Sequence, residues 1–300
     1  MEKRLREFCM NERIPALWHT PLSDYTSFRI GGLADAFLLP DTEKSFLALL
    51  RFLSDERIPF RVIGNGTNLL FSDDGFRGAV ISTRHMRTVS VVGNSVIAAS
   101  GLPLNVLCRV LADRSLDGFS GLYGIPGTVG GAVYMNAGAF GATVSDCLTF
   151  VSVYCTDAGK IQTYSKKDLA FSYRYSALHE KKDAIILSAE FSFPYGNQLE
   201  IREKMRQNLS KRMATQPTAL PCAGSAFLRP KEGAAAMYIE KAGLKGESVG
   251  GAAVSLKHAG FIVNLGGATA SDVLSLIARI QNEVENQFGI KLTPEIEYIG

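Results

Sequence analysis

The sequence of 300 residues lacks several features that would assign it to a class at once. Its five cysteines are scattered and form no C-x-x-C pair, so they indicate neither a disulfide framework nor a cysteine zinc site. No apolar run approaches the ~18 residues that a membrane-spanning helix needs. The charged stretch over residues 1–15 has no apolar segment typical of a secretion signal. We therefore expect a cytoplasmic protein with no membrane partner.

An excess of charge is also missing. Lys and Arg number 32 against 29 Asp and Glu, and a net charge of +3 is too small to favour binding to nucleic acid. The four histidines lie far apart and form no H-E-x-x-H motif, so we expect no metal site. The absence of G-x-x-x-x-G-K-[ST] and G-x-S-x-G motifs excludes a nucleotide-binding P-loop and a hydrolase nucleophile elbow.

What is present begins with a βαβ pattern. The sequence predicts a strand over 34–40, a helix capped by Asp41 and running to about residue 57, and a strand over 60–63. Short strands follow over 79–83, 88–92 and 95–99, the last two joined by a hairpin turn at Gly93-Asn94. Pro103 opens a helix, and strands over 148–155, 160–164 and 184–193 complete an α+β region.

The last third of the chain has its own pattern. A charged helix is predicted over 199–212, and a longer helix is capped by Thr269, with Asp272 in a capping box and Gly289 as its stop. A final strand is predicted over 290–299 from its alternating apolar residues. We therefore divide the chain into three domains, 1–75, 76–198 and 199–300.

Two glycine-rich segments are the strongest chemical signal. The first, 64–68, follows directly on a predicted strand, and the second occupies 118–141. Leu69 stands where the dinucleotide-binding fingerprint requires a glycine, so a Rossmann fold is not indicated. Such glycines can build tight turns, or they can bring backbone amides to a ligand such as a pyrophosphate. The occurrence of two segments favours the ligand.

These segments carry a resemblance to a known family. Residues 64–70 and 124–139, together with 25–32, 172–176, 223–227, 257–264 and 293–300, resemble the motifs of the UDP-N-acetylenolpyruvoylglucosamine reductases, in particular the shorter second type of that family. The resemblance extends along almost the whole chain. It implies a vanillyl-alcohol-oxidase-type (PCMH-type) FAD-binding fold, with two α+β subdomains that bind FAD and a C-terminal α+β substrate domain.

The resemblance also implies an activity. Members of the family are flavoprotein oxidoreductases of peptidoglycan synthesis, and so of cell wall biogenesis, cell shape and cell division. They pass a hydride from NADPH through non-covalent FAD to UDP-N-acetylglucosamine enolpyruvate, which gives UDP-N-acetylmuramate. The expected partner is thus a small UDP-sugar. The oligomeric state is left open by the sequence, and we expect a monomer.

The resemblance assigns three catalytic residues. Reduction of a carbon conjugated to a carboxylate requires a fixed cation, a proton donor and a supporting acid. Arg174 matches the family's cation, Ser225 its proton donor and Glu295 its acid. From composition alone these would be a surface arginine, a loop serine and a solvated glutamate.

The cofactor and substrate residues follow from the same motifs. The predicted FAD contacts are Gly64, Asn65, Gly66, Thr67, Asn68, Gly127, Thr128, Gly130 and Gly131, with Asn136 and Gly138 toward the flavin ring. Leu228 and Met237 depart from the family pattern where cations are frequent. Arg229 and Lys257 are therefore predicted to bind the diphosphate in their place, although each could equally be a solvated surface charge.

Two other functions remain open from the sequence. A flavin oxidase of the same fold, acting on an alcohol or a sugar, would use O₂ instead of NADPH. A non-catalytic nucleotide-binding protein could also keep the fold. Retention of all three catalytic residues argues against the second of these.

Overall fold

The computed structural model describes residues 2–300; Met1, where the first predicted domain begins, lies outside the described residues. The helices are α1 (Glu2–Asn11), α2 (Glu43–Asp55), α3 (Leu104–Asp113), α4 (Val129–Tyr134), α5 (Val144–Cys147), α6 (Gln198–Thr215), α7 (Ala235–Lys241) and α8 (Ala270–Phe288). The strands are β1 (Ala16–Pro21), β2 (Leu33–Leu38), β3 (Phe60–Ile63), β4 (Leu69–Phe71), β5 (Phe76–Ser82), β6 (Val89–Val92), β7 (Ser95–Ala99), β8 (Gly138–Ala139), β9 (Ala142–Thr143), β10 (Leu148–Cys155), β11 (Lys160–Ser165), β12 (Ala184–Ser192), β13 (Cys222–Ser225), β14 (Ser248–Val249), β15 (Ala252–Val254), β16 (Phe261–Asn264) and β17 (Glu297–Ile299). Short 3-10 helices lie at Leu22–Tyr25, Thr83–His85 and Ala177–His179.

The chain folds into two compact units that are interleaved along the sequence. The first is formed by the chain up to Trp18, by Ala36–Asn65 and by Gly78–Ser210. The second is formed by His19–Asp35, Gly66–Arg77 and Lys211–Gly300. Because these units do not mark domain boundaries, the division at 1–75, 76–198 and 199–300 stays a prediction.

The first unit contains two separate apolar cores. One lies between α1, α2 and the sheet of order β1-β2-β5-β3. The other lies between α3, α4 and a five-stranded antiparallel sheet of order β11-β10-β12-β7-β6. The hairpin predicted at Gly93-Asn94 is confirmed, since Val92 pairs with Ser95 across the turn.

The βαβ pattern is confirmed with small corrections. Helix α2 is capped by Thr42 and not by Asp41: Thr42 Oγ1 accepts a 3.1 Å hydrogen bond from the backbone N–H of Ser45, as a capping box requires. Pro103 is likewise the N-cap of α3 and not its first helical residue. Strand β3 pairs in parallel with β5, which therefore lies between β2 and β3 in the sheet. The helical crossover leaves room for this later strand.

The second unit is built on a four-stranded antiparallel sheet and one long helix. The sheet has the order β13-β16-β15-β14, and its core is closed by α7 and α8. The caps predicted for α8 are confirmed: Thr269 and Asp272 form the capping box, and Gly289 ends the helix at φ 69°. Glycine suits that left-handed conformation because it has no Cβ.

The predicted final strand over 290–299 is mostly wrong. Only β17 is a strand, and it pairs in parallel with β4. Residues 290–296 make a single bridge, between Pro294 and Phe227, and Pro294 has no N–H with which a continuous ladder could form. Leu292 and Ile296 are nevertheless buried, which explains the apolar alternation in the sequence.

None of the helices described within residues 2–300 is both long and apolar enough to cross a membrane.

Candidate functional site

The two glycine-rich segments are in contact with each other. Asn65 Nδ2 donates a 2.8 Å hydrogen bond to the carbonyl oxygen of Pro126. Gly64 accepts a 2.9 Å hydrogen bond from Ser82 Oγ, and a Cβ atom at Gly64 would lie 2.3 Å from Thr128 Oγ1. Position 64 therefore has room only for glycine, because a side chain there would overlap the second segment.

The second segment starts helix α4, and the structure shows what its glycines do. Thr128 is the N-cap and accepts a 3.4 Å hydrogen bond from the N–H of Gly131. Gly130 donates a 2.8 Å hydrogen bond to the carbonyl of Ser100, and a Cβ there would lie 2.8 Å from the Cβ of Ser100. Both amides are thus engaged within the protein, and the glycine at 130 permits close packing.

The backbone of the first segment has unused donors. Within residues 2–300, the N–H groups of Gly64, Asn65, Gly66 and Thr67 have no hydrogen-bond partner in the protein. Gly66 is nevertheless buried, and buried amides are almost always paired. Consecutive unpaired amides of this kind form a binding site for an anion. The segment over 64–67 therefore fits a bound pyrophosphate group.

Residues 25–27 hold this segment, a contact that the sequence did not predict. Gly66 has φ +64°, and a Cβ there would lie 2.5 Å from the carbonyl oxygen of Tyr25. The N–H of Ser27 donates a 3.1 Å hydrogen bond to the carbonyl of Gly66. The signal for this contact was present, since 25–32 is one of the motifs on which the family resemblance depends.

Asn68 connects the same segment to Glu295, one of the predicted catalytic residues. Its Nδ2 donates a 3.0 Å hydrogen bond to the carbonyl oxygen of Glu295. Its own carbonyl accepts a 2.9 Å hydrogen bond from the N–H of Glu297, just before the pairing of β4 with β17. The side-chain amide of Asn68, predicted as a cofactor contact, thus fixes the main chain of Glu295.

Ser225 and Glu295 lie on adjacent chain segments of the second unit. Ser225 is the last residue of β13, and the N–H of Glu295 donates a 2.9 Å hydrogen bond to the carbonyl of Ala226. A second hydrogen bond of 2.9 Å runs from the N–H of Leu228 to the carbonyl of Thr293. The structure therefore places the two predicted catalytic residues on segments that are joined by main-chain hydrogen bonds.

The residue before Ser225 borders open space. Gly224 has φ +79°, and a Cβ there would meet no atom within 4 Å. The nearby thiol of Cys222 stays protonated at neutral pH, because burial raises its pKa. On the other side, the N–H of Ala226 donates a 2.8 Å hydrogen bond to the carbonyl of Gly260. Ser225 is thus half-buried and bordered by open space.

His258 supports the chain that pairs with the Ser225 segment. Its Nδ1 accepts a 3.1 Å hydrogen bond from the N–H of Gly260, which fixes the proton of the neutral ring on Nε2. Burial of the ring lowers the pKa of His258. The ring is therefore neutral at physiological pH and acts as a hydrogen-bond acceptor within the turn.

Arg174 stands on a tight turn of the first unit. Ser172 and Tyr175 form an antiparallel bridge, with backbone hydrogen bonds of 3.1 and 3.3 Å between them. Arg174 has φ 55°, in the left-handed region where an L-residue costs roughly 1–2 kcal/mol. Its Nη1 donates a 3.3 Å hydrogen bond to the carbonyl of Gly138, and its guanidinium lies 5.5 Å from the ring centre of Tyr173.

The predicted flavin-ring residues are engaged with this turn. Asn136 is buried, and its Nδ2 donates a 2.8 Å hydrogen bond to the carbonyl of Ser172. Its Oδ1 accepts a 3.2 Å hydrogen bond from the N–H of Ser145. Gly138 contributes the carbonyl that binds Arg174. Their place beside the flavin ring stays a prediction, whereas their contacts with the turn are observed.

The two proposed diphosphate cations lie on the surface of the second unit. Arg229 and Lys257 are both exposed, and the Nζ of Lys257 donates a hydrogen bond to the carbonyl of Met213. Their role in substrate binding stays a prediction. Across residues 2–300, no group of three His, Cys, Asp or Glu side chains is arranged to hold a metal ion.

Two protein-family matches cover much of the chain. Residues 34–165 match the FAD binding domain family, and residues 216–299 match the family described as UDP-N-acetylenolpyruvoylglucosamine reductase, C-terminal domain. The UDP-N-acetylenolpyruvoylglucosamine reductase of Caldanaerobacter subterraneus subsp. tengcongensis is 45% identical over 280 residues, which are 93% of this chain and 92% of that protein.

Solved structures agree with these matches. The crystal structure of UDP-N-acetylenolpyruvylglucosamine reductase (MurB) from Thermus caldophilus has a TM-score of 0.81 and 34% identity, and the match covers 96% of this chain and 99% of that one. A berberine bridge enzyme variant, 14% identical, has a TM-score of 0.51 over 66% of this chain and 44% of its own, and shows the fold alone. The predicted vanillyl-alcohol-oxidase-type FAD-binding fold is confirmed.

Proposed function

This chain belongs to the UDP-N-acetylenolpyruvoylglucosamine reductase family, and from that premise we propose how its residues perform the reaction. The enzyme is an FAD-containing oxidoreductase that reduces UDP-N-acetylglucosamine enolpyruvate to UDP-N-acetylmuramate in peptidoglycan synthesis. When bound, FAD supplies the hydride for the enolpyruvyl double bond after accepting it from NADPH.

The pyrophosphate of FAD would bind to the segment over 64–68. The unpaired amides over 64–67 support this placement, as does the lack of room for a side chain at Gly64 and Gly66. Gly127 and Thr128 would contribute from the second segment. Gly130 and Gly131 would act through packing, because their amides are already bonded within the protein.

Arg174 would bind the carboxylate of the substrate. Addition of hydride to the β-carbon of the enolpyruvyl group would move negative charge through the α-carbon into that carboxylate, and a guanidinium, which stays protonated, would stabilise this charge until the α-carbon is protonated. Arg174 shares a positive φ with eight other non-glycine residues, so this conformation supports a turn fixed by its neighbours, which would hold the guanidinium in one place.

Ser225 would donate the proton that completes the reduction, and Glu295 would support it. A serine hydroxyl is a weak acid, so the transfer needs a strongly basic carbon and a neighbouring carboxyl group to orient the hydroxyl. The hydrogen bond from the N–H of Glu295 to the carbonyl of Ala226, beside the open space at Gly224, is the observation that carries this proposal. It supports a site with acid and donor on adjacent segments.

The substrate's diphosphate would bind Arg229 and Lys257, since a diphosphate needs paired cations. We also propose a cytoplasmic, monomeric enzyme without a nucleic-acid partner. The free state of all five cysteines, four of them buried, supports a reducing compartment.

An anaerobic spectroscopic experiment tests the function. NADPH is added to the purified flavoprotein until the flavin absorbance is bleached, and UDP-N-acetylglucosamine enolpyruvate is then added. We expect the absorbance to return with one equivalent of substrate and UDP-N-acetylmuramate to form. Failure of the substrate to restore the absorbance would refute the proposal, and rapid reoxidation by O₂ with an alcohol or sugar as reductant would indicate an oxidase.

A further inference from the structure

We propose that Asn136 and Ser176 are positioning residues that hold the guanidinium of Arg174 in place for the carboxylate of the substrate. The inference rests on the proposed role of Arg174. Asn136 would thus have a role different from the predicted contact with the flavin ring. Ser176 would have a role that the sequence did not indicate.

The turn that carries Arg174 is strained and is held from outside. A tight turn with φ above zero at its third position normally has glycine or asparagine there. Arg174 occupies that position at φ 55°, so its conformation must be fixed by neighbouring contacts. Three hydrogen bonds provide them, and all three come from the chain just after or at the end of helix α4.

Each of these hydrogen bonds fixes a different part of the turn. Asn136 Nδ2 binds the carbonyl of Ser172 at the base, at 2.8 Å. Ser176 follows the turn directly, and its Oγ donates a 2.7 Å hydrogen bond to the carbonyl of Tyr134. The carbonyl of Gly138 accepts from Arg174 Nη1 at 3.3 Å, so the side chain itself is also oriented.

The two positioning residues are themselves held firmly. Asn136 is 7% exposed and Ser176 is 0% exposed, so neither side chain can easily exchange its partner for water. The Oδ1 of Asn136 is occupied by the N–H of Ser145 at 3.2 Å, which sets the orientation of its amide. The segment of α4 thus contacts Gly64 through Thr128 at its start and holds the Arg174 turn at its end.

Nucleotide binding to the oxidised holoenzyme tests this inference without relying on turnover. UDP-N-acetylmuramate carries the carboxylate, whereas UDP-N-acetylglucosamine lacks it. The wild type should bind the first more tightly, and Arg174→Gly should lose about tenfold of that preference, as removal of one charged hydrogen bond does. Asn136→Asp keeps the acceptor for the N–H of Ser145 but removes the donor to the carbonyl of Ser172. It should reduce the preference for UDP-N-acetylmuramate by a similar factor.

A double mutant separates positioning from general damage. If Asn136 acts through Arg174, Asn136→Asp added to Arg174→Gly should cause no further loss of affinity for UDP-N-acetylmuramate. Affinity for UDP-N-acetylglucosamine, which lacks the carboxylate, reports general damage to the site and should fall by less than affinity for UDP-N-acetylmuramate in each variant. Asn208→Asp is the matched control, because Asn208 Nδ2 also donates to a backbone carbonyl, that of Ser120, at 3.3 Å.

The outcomes are distinct. Additive losses in the double mutant, or a wild-type nucleotide preference in Asn136→Asp, would overturn the inference. Should Asn136→Asp fail to fold, Ser176→Ala replaces it in the same two comparisons, with the same expected and contrary results. A wild type that binds both nucleotides equally would instead refute the role of Arg174 itself, and this inference with it.

Discussion

The Arg174 turn and the Ser225–Glu295 segments hold the proposed catalytic groups in different ways. The turn has a backbone conformation that disfavours arginine, and it is fixed by the side chains of Asn136 and Ser176. The Ser225–Glu295 segments are joined by main-chain hydrogen bonds between the chain after β13 and the irregular chain before β17. A single substitution away from the reaction should therefore disturb the turn, whereas the segments of Ser225 and Glu295 keep their main-chain hydrogen bonds when a side-chain contact such as that of Asn68 is removed.

The two regions should also differ in how a substitution affects stability and activity. At the turn, the conformation that presents Arg174 costs free energy, so a change that relieves the strain should stabilise the protein and abolish its function. At the Ser225–Glu295 segments, the hydrogen bonds that present the catalytic groups also stabilise the fold. Substitutions in the two regions should therefore differ in how they divide their effects between stability and activity.

Replacement of Arg174 should give the largest effect. Arg174→Gly and Arg174→Ala should both slow reoxidation of the reduced flavin by substrate by about 10²–10³-fold, because each loses the cation that stabilises the developing charge. The glycine variant should unfold with a free energy about 1 kcal/mol higher than the alanine variant, since only glycine adopts φ 55° without strain. Stopped-flow spectroscopy and denaturant titration measure the two quantities. Equal stabilities would show that the turn is not strained.

Asn68→Ala should have an intermediate effect on the other region. It removes one hydrogen bond to the carbonyl of Glu295, at a cost of about 1–2 kcal/mol of stability. Because the N–H of Glu295 stays bonded to Ala226, reoxidation by substrate should slow by less than about tenfold. The bound FAD is quantified alongside, since Asn68 is also a proposed cofactor contact. If Asn68→Ala slowed reoxidation by substrate as much as Arg174→Gly does, the proposed difference between the two regions would be contradicted.

Gly224→Ala should lower the unfolding free energy by less than Gly66→Ala does. Both glycines have positive φ, at +79° and +64°, but only at Gly66 would a Cβ overlap another atom, the carbonyl oxygen of Tyr25. Gly224→Ala should thus cost about 1 kcal/mol of unfolding free energy, the conformational term alone. Gly66→Ala should cost more and should also lower FAD content. Denaturant titration with flavin quantification distinguishes the two, and equal costs would contradict the assignment of a steric role to Gly66.

The smallest expected effect is on the pH dependence of stability, through the turn at His258. Because burial lowers the pKa of His258 below its ordinary 6.5, its contribution to stability is complete above pH 6.5 and is lost as the pH falls below that value. Glu240 opposes this shift and Lys245 adds to it. His258→Asn, which keeps an acceptor but does not titrate, should flatten the fall in unfolding free energy between about pH 7 and about pH 5. An unchanged slope would show that His258 is not the group responsible.

The sequence predicted local features well and distant pairings poorly. The caps of α8 at Thr269 and Gly289 were found because cap residues act on neighbours within one turn. The strand over 290–299 was wrong because burial of Leu292 and Ile296 follows the contacts of an irregular segment, which imitates strand periodicity.

The site shows the same limit. Family motifs identified Arg174, Ser225 and Glu295 as separate residues, and the adjacency of the last two became visible only in the fold. Asn136 belongs to a family motif, but its hydrogen-bond partner Ser172 lies 36 residues away, and no local sequence pattern links the two residues. The amides of Gly130 and Gly131 resemble ligand donors in sequence, although packing of α4 engages them within the protein.

The most direct test of the proposed mechanism is the pair of half-reactions in Ser225→Ala, with Ser271→Ala, an exposed serine of α8, as control. We predict that NADPH reduces the flavin of Ser225→Ala at the wild-type rate, whereas reoxidation by UDP-N-acetylglucosamine enolpyruvate slows by about 10²–10⁴-fold, the usual contribution of a general acid. Reoxidation of Ser225→Ala as fast as that of the control would contradict the assignment of Ser225 as proton donor.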